Sequence, residues 1–183
     1  MPVPLGYFIS SHVYGSRLRT VHDIDDDSCI RFVDVWKGKE EKMGSSWTNS
    51  SEVSTMVDLV RNYYQSLNFC IITPYDAQRA EIQKSLKEEK LPWEHVFNVD
   101  SFQGNEADYL LISVVRSNGV GFLKSLNRTN VMLTRCRKGM VIVSSRPFLR
   151  SVAHDTLLGS EAWVEAEDVA ESTVNLPGVT VAK

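Results

Sequence analysis

Phe69-Cys70-Ile71-Ile72-Thr73, followed by Pro74-Tyr75-Asp76-Ala77-Gln78-Arg79, decides how the rest of the chain reads. FCIIT is a continuous apolar run, the pattern of a strand buried on both faces of a parallel sheet. Pro74 stops such a strand. Asp76 is placed to cap a helix that runs to about Lys90. The same units recur outward from there. Upstream, residues 30–35 (IRFVDV) alternate and are rich in β-branched residues, so they read as a strand after the acidic turn VHDIDDDS. The polar stretch WKGKEEKMGSSWTNS reads as a loop. Val53, Met56, Val57, Val60, Tyr64 and Leu67 then recur at helical spacing, with Asn49, Ser50 or Ser51 as the cap. Downstream, residues 96–100 (VFNVD), 109–115 (YLLISVV) and 140–145 (MVIVSS) read as strands. Residues 125–137 read as a helix closed by Lys138-Gly139, and helix is expected again from Pro147 to about Trp163. Strands alternating with helices imply an α/β fold, a mostly parallel sheet with helices on both faces.

The chain has 183 residues, enough for one domain with its own core. Residues 1–29 are expected to be an irregular lead-in, 30–163 the domain, and 164–183 an acidic, frayed tail. No apolar run is long enough to span a bilayer, and the start lacks the pattern of a secretory signal. An intracellular place, nuclear or cytoplasmic, is expected. Cys29, Cys70 and Cys136 are odd in number and widely spaced, without zinc-ligand spacing, so no metal site is expected.

The net charge is −3, but charge is segregated. Tyr109 to His154 holds no Asp or Glu and eight cations: Arg116, Lys124, Arg128, Arg135, Arg137, Lys138, Arg146 and Arg150. The remainder therefore carries −11 against that +8. Such a distribution suits a local phosphate site on an acidic body, and is equally compatible with a solvated basic face.

In a parallel sheet, ligands bind at the carboxyl ends of the strands. Three loops there carry chemistry. Gln78 and Arg79 lie in the first turn of a helix, whose N-terminus attracts anions; a surface arginine on an amphipathic helix is the plain alternative. Asp100-Ser101-Phe102-Gln103-Gly104-Asn105-Glu106-Ala107-Asp108 is dense in hydrogen-bonding groups around a glycine that permits close approach; a polar turn is the alternative. In Asn130-Val131-Met132-Leu133-Thr134-Arg135-Cys136-Arg137, Arg128 and Arg135 are expected on one helix face, while a helix-terminal cation is the alternative.

The order ITPYDAQ, VDSFQGNEAD, VRSN with GVGFL, then NRTNVMLTRCRKGMVIV resembles the second RecA-like domain of superfamily I helicases. It is most similar to the branch that includes the nonsense-mediated-decay helicase and the senataxin-like proteins. The resemblance runs from about Ile30 to Trp163 and is dense from Ile71 to Val143. It implies a three-layer RecA-like fold of the P-loop NTPase type. It implies that Arg79 contacts the γ-phosphate and that Arg135 is the arginine finger. It places Gln103, Gly104 and Glu106 near the nucleotide's phosphates and sugar. Asp100, Ser101, Arg116, Ser117 and Asn118 match the region that faces a single strand of RNA or DNA, and Thr73 and Tyr75 lie near either ligand. Cys136 replaces the family's usual alanine, the loop at Asn118-Gly119 is shorter than usual, and Asn127 replaces one arginine of a common pair.

The sequence holds no GxxxxGK[ST] and no acidic strand end of the kind that positions magnesium. ATP and Mg2+ are therefore expected only with a first RecA-like lobe, in cis or in trans, and the chain alone is expected not to hydrolyse ATP. A fragment or natural short form of a helicase is one reading; a non-catalytic binding module for nucleic acid or protein is the other. A Rossmann-like small-molecule enzyme lacks its GxGxxG.

Overall fold

The computed structural model describes residues 1–164 and the short segments 173–176 and 179–182. Five strands run parallel: β1 (Ile30–Asp34), β4 (Phe69–Thr73), β5 (Val96–Asn98), β6 (Ala107–Ser113) and β7 (Cys136–Ser144). Their order across the sheet is β5-β4-β6-β7-β1, extended by an antiparallel pair, β9 (Val179–Ala182) and β8 (Thr173–Leu176). A separate hairpin joins β2 (Glu41–Met43) to β3 (Ser46–Thr48).

Helices cover both faces. Val33, Ile71, Leu111, Val141 and Val143 pack under α2 (Ser50–Leu59) and α3 (Asp76–Glu88). Ile30, Ile72, Leu110, Ile112, Met140 and Ile142 pack under α1 (Val3–Val13), α4 (Leu126–Leu133), α5 (Arg146–Ser151) and α6 (Leu157–Val164). The alternation of Leu110, Leu111 and Ile112 between the two cores explains why the strand shows no polar face. Each such fully enclosed side chain contributes about 1.5–3 kcal/mol. The result is a three-layer α/β domain of RecA-like type.

Several expectations change. The lead-in is not irregular: α1 forms because Leu5 and Ile9 bury one helical face in the core, with the prolines confined to its start, where no intrahelical N–H is lost. The polar loop before Asn49 is a hairpin turning at Gly44, φ +61°. The helix expected over 125–137 ends at Leu133, and the last strand starts at Cys136 instead of Met140. Arg135 therefore lies beyond the helix, and Arg128 and Arg135 do not share a helical face. Within the tail expected to be frayed, residues 173–176 and 179–182 instead form β8 and β9, which pair with each other and, through β9, with β1; residues 165–172, 177, 178 and 183 lie outside the described residues.

Candidate functional site

The carboxyl ends of β4 and β6 carry a buried polar network. Asn49 caps α2, its side chain accepting from the Glu52 amide at 3.3 Å. The Asn-x-x-Glu spacing is that of a capping box, but the return half goes elsewhere. The Asn49 amide donates to Gln78 Oε1 at 2.8 Å. The Glu52 carboxylate turns to β6, accepting from Ser113 Oγ at 2.6 Å and Val115 N at 2.9 Å. Gln78 Nε2 donates to Ser113 Oγ at 3.0 Å and to the Asn49 carbonyl at 3.3 Å. Burial pushes the Glu52 carboxyl up to about 8, against the pull of its Ser113 and Val115 donors. Gln78 is wholly enclosed and braces the start of α3; Thr73 is enclosed as well.

Beyond β6, Val115 takes φ +73°, and the chain then meets Glu40 from the root of the hairpin. Glu40 accepts from Arg116 Nε at 2.9 Å and Nη2 at 3.0 Å, and from the Ser117 and Asn118 amides at 2.7 and 2.9 Å. Burial alone would raise this carboxyl; the Arg116 guanidinium and the two amides outweigh it and hold it below the usual range. The Arg116 guanidinium also lies 4.2 Å over the Trp47 ring.

Arg79 is half-buried on the first turn of α3, where its Nε donates to Asp76 Oδ1 at 3.3 Å and its Nη1 to Gln83 Oε1 at 3.0 Å. Asn98 holds the same Asp76 oxygen at 3.3 Å. Asp100 and Ser101 follow β5, exposed; Asp100 pairs with Arg128, whose guanidinium covers the Phe122 ring at 4.5 Å. Gln103, Gly104 and Glu106 are exposed on the loop that crosses to the start of β6, and Gly104 has φ +88°. Glu106 pairs with Arg137 at 3.1 Å and Asp108 with Lys138 at 2.8 Å. Arg135 stands where β6 and β7 begin. Its carbonyl accepts from the Ala107 amide, and its Nε donates to the Val131 carbonyl at 3.0 Å.

The two arginines thus lie on different edges: Arg79 near the carboxyl ends of the strands, Arg135 at their amino ends. Asp100, Glu106 and Asp108, outside the basic stretch, neutralise Arg128, Arg137 and Lys138 within it. Glu40, Trp47 and Glu52 stand out in no motif of the sequence and Asn49 only as one of three candidate caps, although the Asn-x-x-Glu spacing and the twin glutamates after Gly38-Lys39 are visible there. Among the described residues, no three His, Cys, Asp or Glu side chains gather closely enough to hold a metal ion.

Residues 3–147 match the family described as AAA domain. The regulator of nonsense transcripts 1 homolog of Arabidopsis thaliana is 40% identical over 129 residues, 62% of this chain and 10% of that protein. The probable helicase senataxin of Mus musculus is 32% identical over 179 residues, 86% of this chain and 6% of that protein. An uncharacterized ATP-dependent helicase of Methanocaldococcus jannaschii is 31% identical over 131 residues, 70% of this chain and 20% of that protein. The chain spans a fifth or less of the length of these relatives. With a family match over most of its length and such relatives, the chain belongs to the AAA domain family, as a helicase-family domain of the branch that contains regulator of nonsense transcripts 1 and senataxin.

Proposed function

We propose that the chain is the C-terminal motor lobe of a superfamily I, ATP-dependent RNA or DNA helicase, working in the nucleus or cytoplasm with a first lobe that cradles the nucleotide's phosphates. One observation carries this reading. Among the described residues no carboxylate forms an ion pair with Arg135, while Arg116, Arg128, Arg137 and Lys138 each have one. A guanidinium steadied by one backbone carbonyl keeps its remaining N–H groups for an anion. Set against a transferring phosphoryl group, it stabilises the charge spread over the equatorial oxygens.

Arg79, at the opposite end of the strands from Arg135, would exchange Asp76 for an anion at its own edge, with Gln78 holding its helix start in place from below. Gln103, Gly104 and Glu106 would border the phosphates and sugar. Asp100, Ser101, Ser117 and Asn118 would face the nucleic-acid strand. The sequence holds no P-loop motif, so the cradle for ATP's phosphates and its Mg2+ would come from the other lobe.

Phosphate release by the chain alone, with RNA present, is expected to be absent; robust turnover would sink the proposal. Joined to a relative's P-loop lobe, the chain should hydrolyse ATP, and Arg135→Ala should lower kcat by roughly 10³-fold or more. An undiminished rate would remove Arg135 from that role. A non-catalytic binding module is the competing reading. Internal pairing of at least four cations of the basic stretch weakens the attraction for phosphates such a module would need.

A further inference from the structure

Two carboxylates from distant parts of the chain fasten the loop after β6. Glu52 takes the Val115 amide, and the Asn49 side chain donates to the Val115 carbonyl at 3.1 Å. Both peptide groups of Val115 are thereby held, and the residue sits at φ +73°. A β-branched residue in that region is an outlier, and it persists where the surroundings over-determine it. Glu40 then collects four N–H donors from the next three residues. In return, the Glu40 amide donates to Ser117 Oγ at 3.0 Å.

Arg116 is closed in on every side that these contacts define. Its edge is filled by the Glu40 carboxylate and its face by Trp47. A Cβ placed on Gly119 would lie 2.5 Å from its Nη2, and one on Gly121 would lie 2.6 Å from its Nη1 and 2.4 Å from the Tyr75 hydroxyl. Its side chain keeps 14% of its exposure. A cation meant for phosphates needs an open fork of N–H groups. This one is used up inside the lobe.

We propose that Glu40 is a positioning residue for nucleic-acid binding: with Arg116 as its internal counter-ion, it sets the backbone of residues 115–118 into the shape that receives the strand, and Arg116 itself touches no phosphate. The proposal rests on the reading of this loop as the nucleic-acid face. Ser117 and Asn118 then meet the strand through groups whose direction Glu40 determines.

The test uses the whole chain with a single-stranded oligonucleotide, read by fluorescence anisotropy across a salt series, with amide hydrogen exchange alongside. In Glu40→Ala, exchange protection at the Ser117 and Asn118 amides should disappear, and the oligonucleotide Kd should rise about tenfold, the scale of one charge-assisted hydrogen bond. Glu40→Asp should restore part of both. Arg116→Ala should reproduce the Kd change while leaving the slope of log K against log salt as in the wild type. A phosphate-contacting arginine would instead cost about 0.7 of slope on a single strand. Unaltered or tighter binding by folded Glu40→Ala overturns the proposal, as does a slope loss of that size in Arg116→Ala. If Glu40→Ala does not fold, Glu40→Gln and Arg116→Ala carry the same comparison. A wild-type chain that binds no oligonucleotide at low salt overturns the nucleic-acid reading of the loop and this proposal with it. Normal wild-type binding with a failed Glu40 series overturns this proposal alone.

Discussion

Glu52 is a carboxylate enclosed by the fold and aimed at the donors of one loop. Its folded pKa of about 8 stands above the ordinary value of 4.5. Between those values the folded state keeps a proton that the unfolded chain gives up. Stability from this group is full below pH 4.5 and declines as pH rises toward 8, by up to about 1.4 kcal/mol per pH unit. Thermal melting of the wild type should therefore fall from pH 5 to pH 8, and that of Glu52→Gln should be flatter; parallel curves would show that Glu52 does not set the trend. Gly104 tests backbone geometry by itself. Its φ is +88° and a Cβ there would meet nothing within 4 Å. Gly104→Ala should thus cost only left-handed strain, about 1–2 kcal/mol in denaturant melts. Glu40 and Glu52 were not legible in the sequence for a physical reason: their partners lie 61 to 78 residues away, and such pairs leave no local period. Arg79, Gln103 and Arg135 are legible as candidates because family motifs are local strings. The enclosure of Gln78 and Arg116 follows from packing that those strings do not encode.

At the scale of elements, strands were read well where they are buried on both faces, since a continuous apolar run needs no partner to be recognised. Boundaries that depend on partners were read poorly. The strand at Cys136 starts early because Ala107 and Tyr109 of β6 pair with Cys136 and Gly139 across a bulge, which extends polar residues into a ladder. The hairpin is hard to read because its apolar positions are few, and because Glu40 at its root and Trp47 in β3 meet Arg116, far along the chain. Asn49 joins three elements: it caps α2, meets Gln78 of α3 and holds Val115 after β6. Asn49→Ala removes a cap and leaves the Val115 carbonyl without its side-chain donor, so it should destabilise by about 2–4 kcal/mol. In a circular-dichroism melt that is a Tm drop of about 5–15 °C for a domain of this size. Asn49→Ser keeps a capping oxygen and loses the reach to Val115, so it should recover roughly half. Equal melts for the two variants would show that the capping oxygen contributes nothing, and a Ser variant as stable as the wild type would show the same of the link to Val115.

Across the whole molecule, segregation of charge along the sequence does not become segregation in space. The fold brings Glu40, Asp100, Glu106 and Asp108 onto Arg116, Arg128, Arg137 and Lys138. At least four of the eight cations in the acid-free stretch are therefore engaged by carboxylates. If all eight met phosphates of a single strand, log K would fall against log salt with a slope of about −5.6. With at least four engaged internally, the stretch should give a slope no steeper than about −2.8. Anisotropy titrations of the whole chain over a range of salt measure this directly. A slope near −5 would mean that nucleic acid pulls the paired cations away from their carboxylates. A shallow slope fits a lobe that presents a shaped loop and the Arg135 guanidinium to its ligands, and that depends on a second lobe for the stronger grip on phosphate.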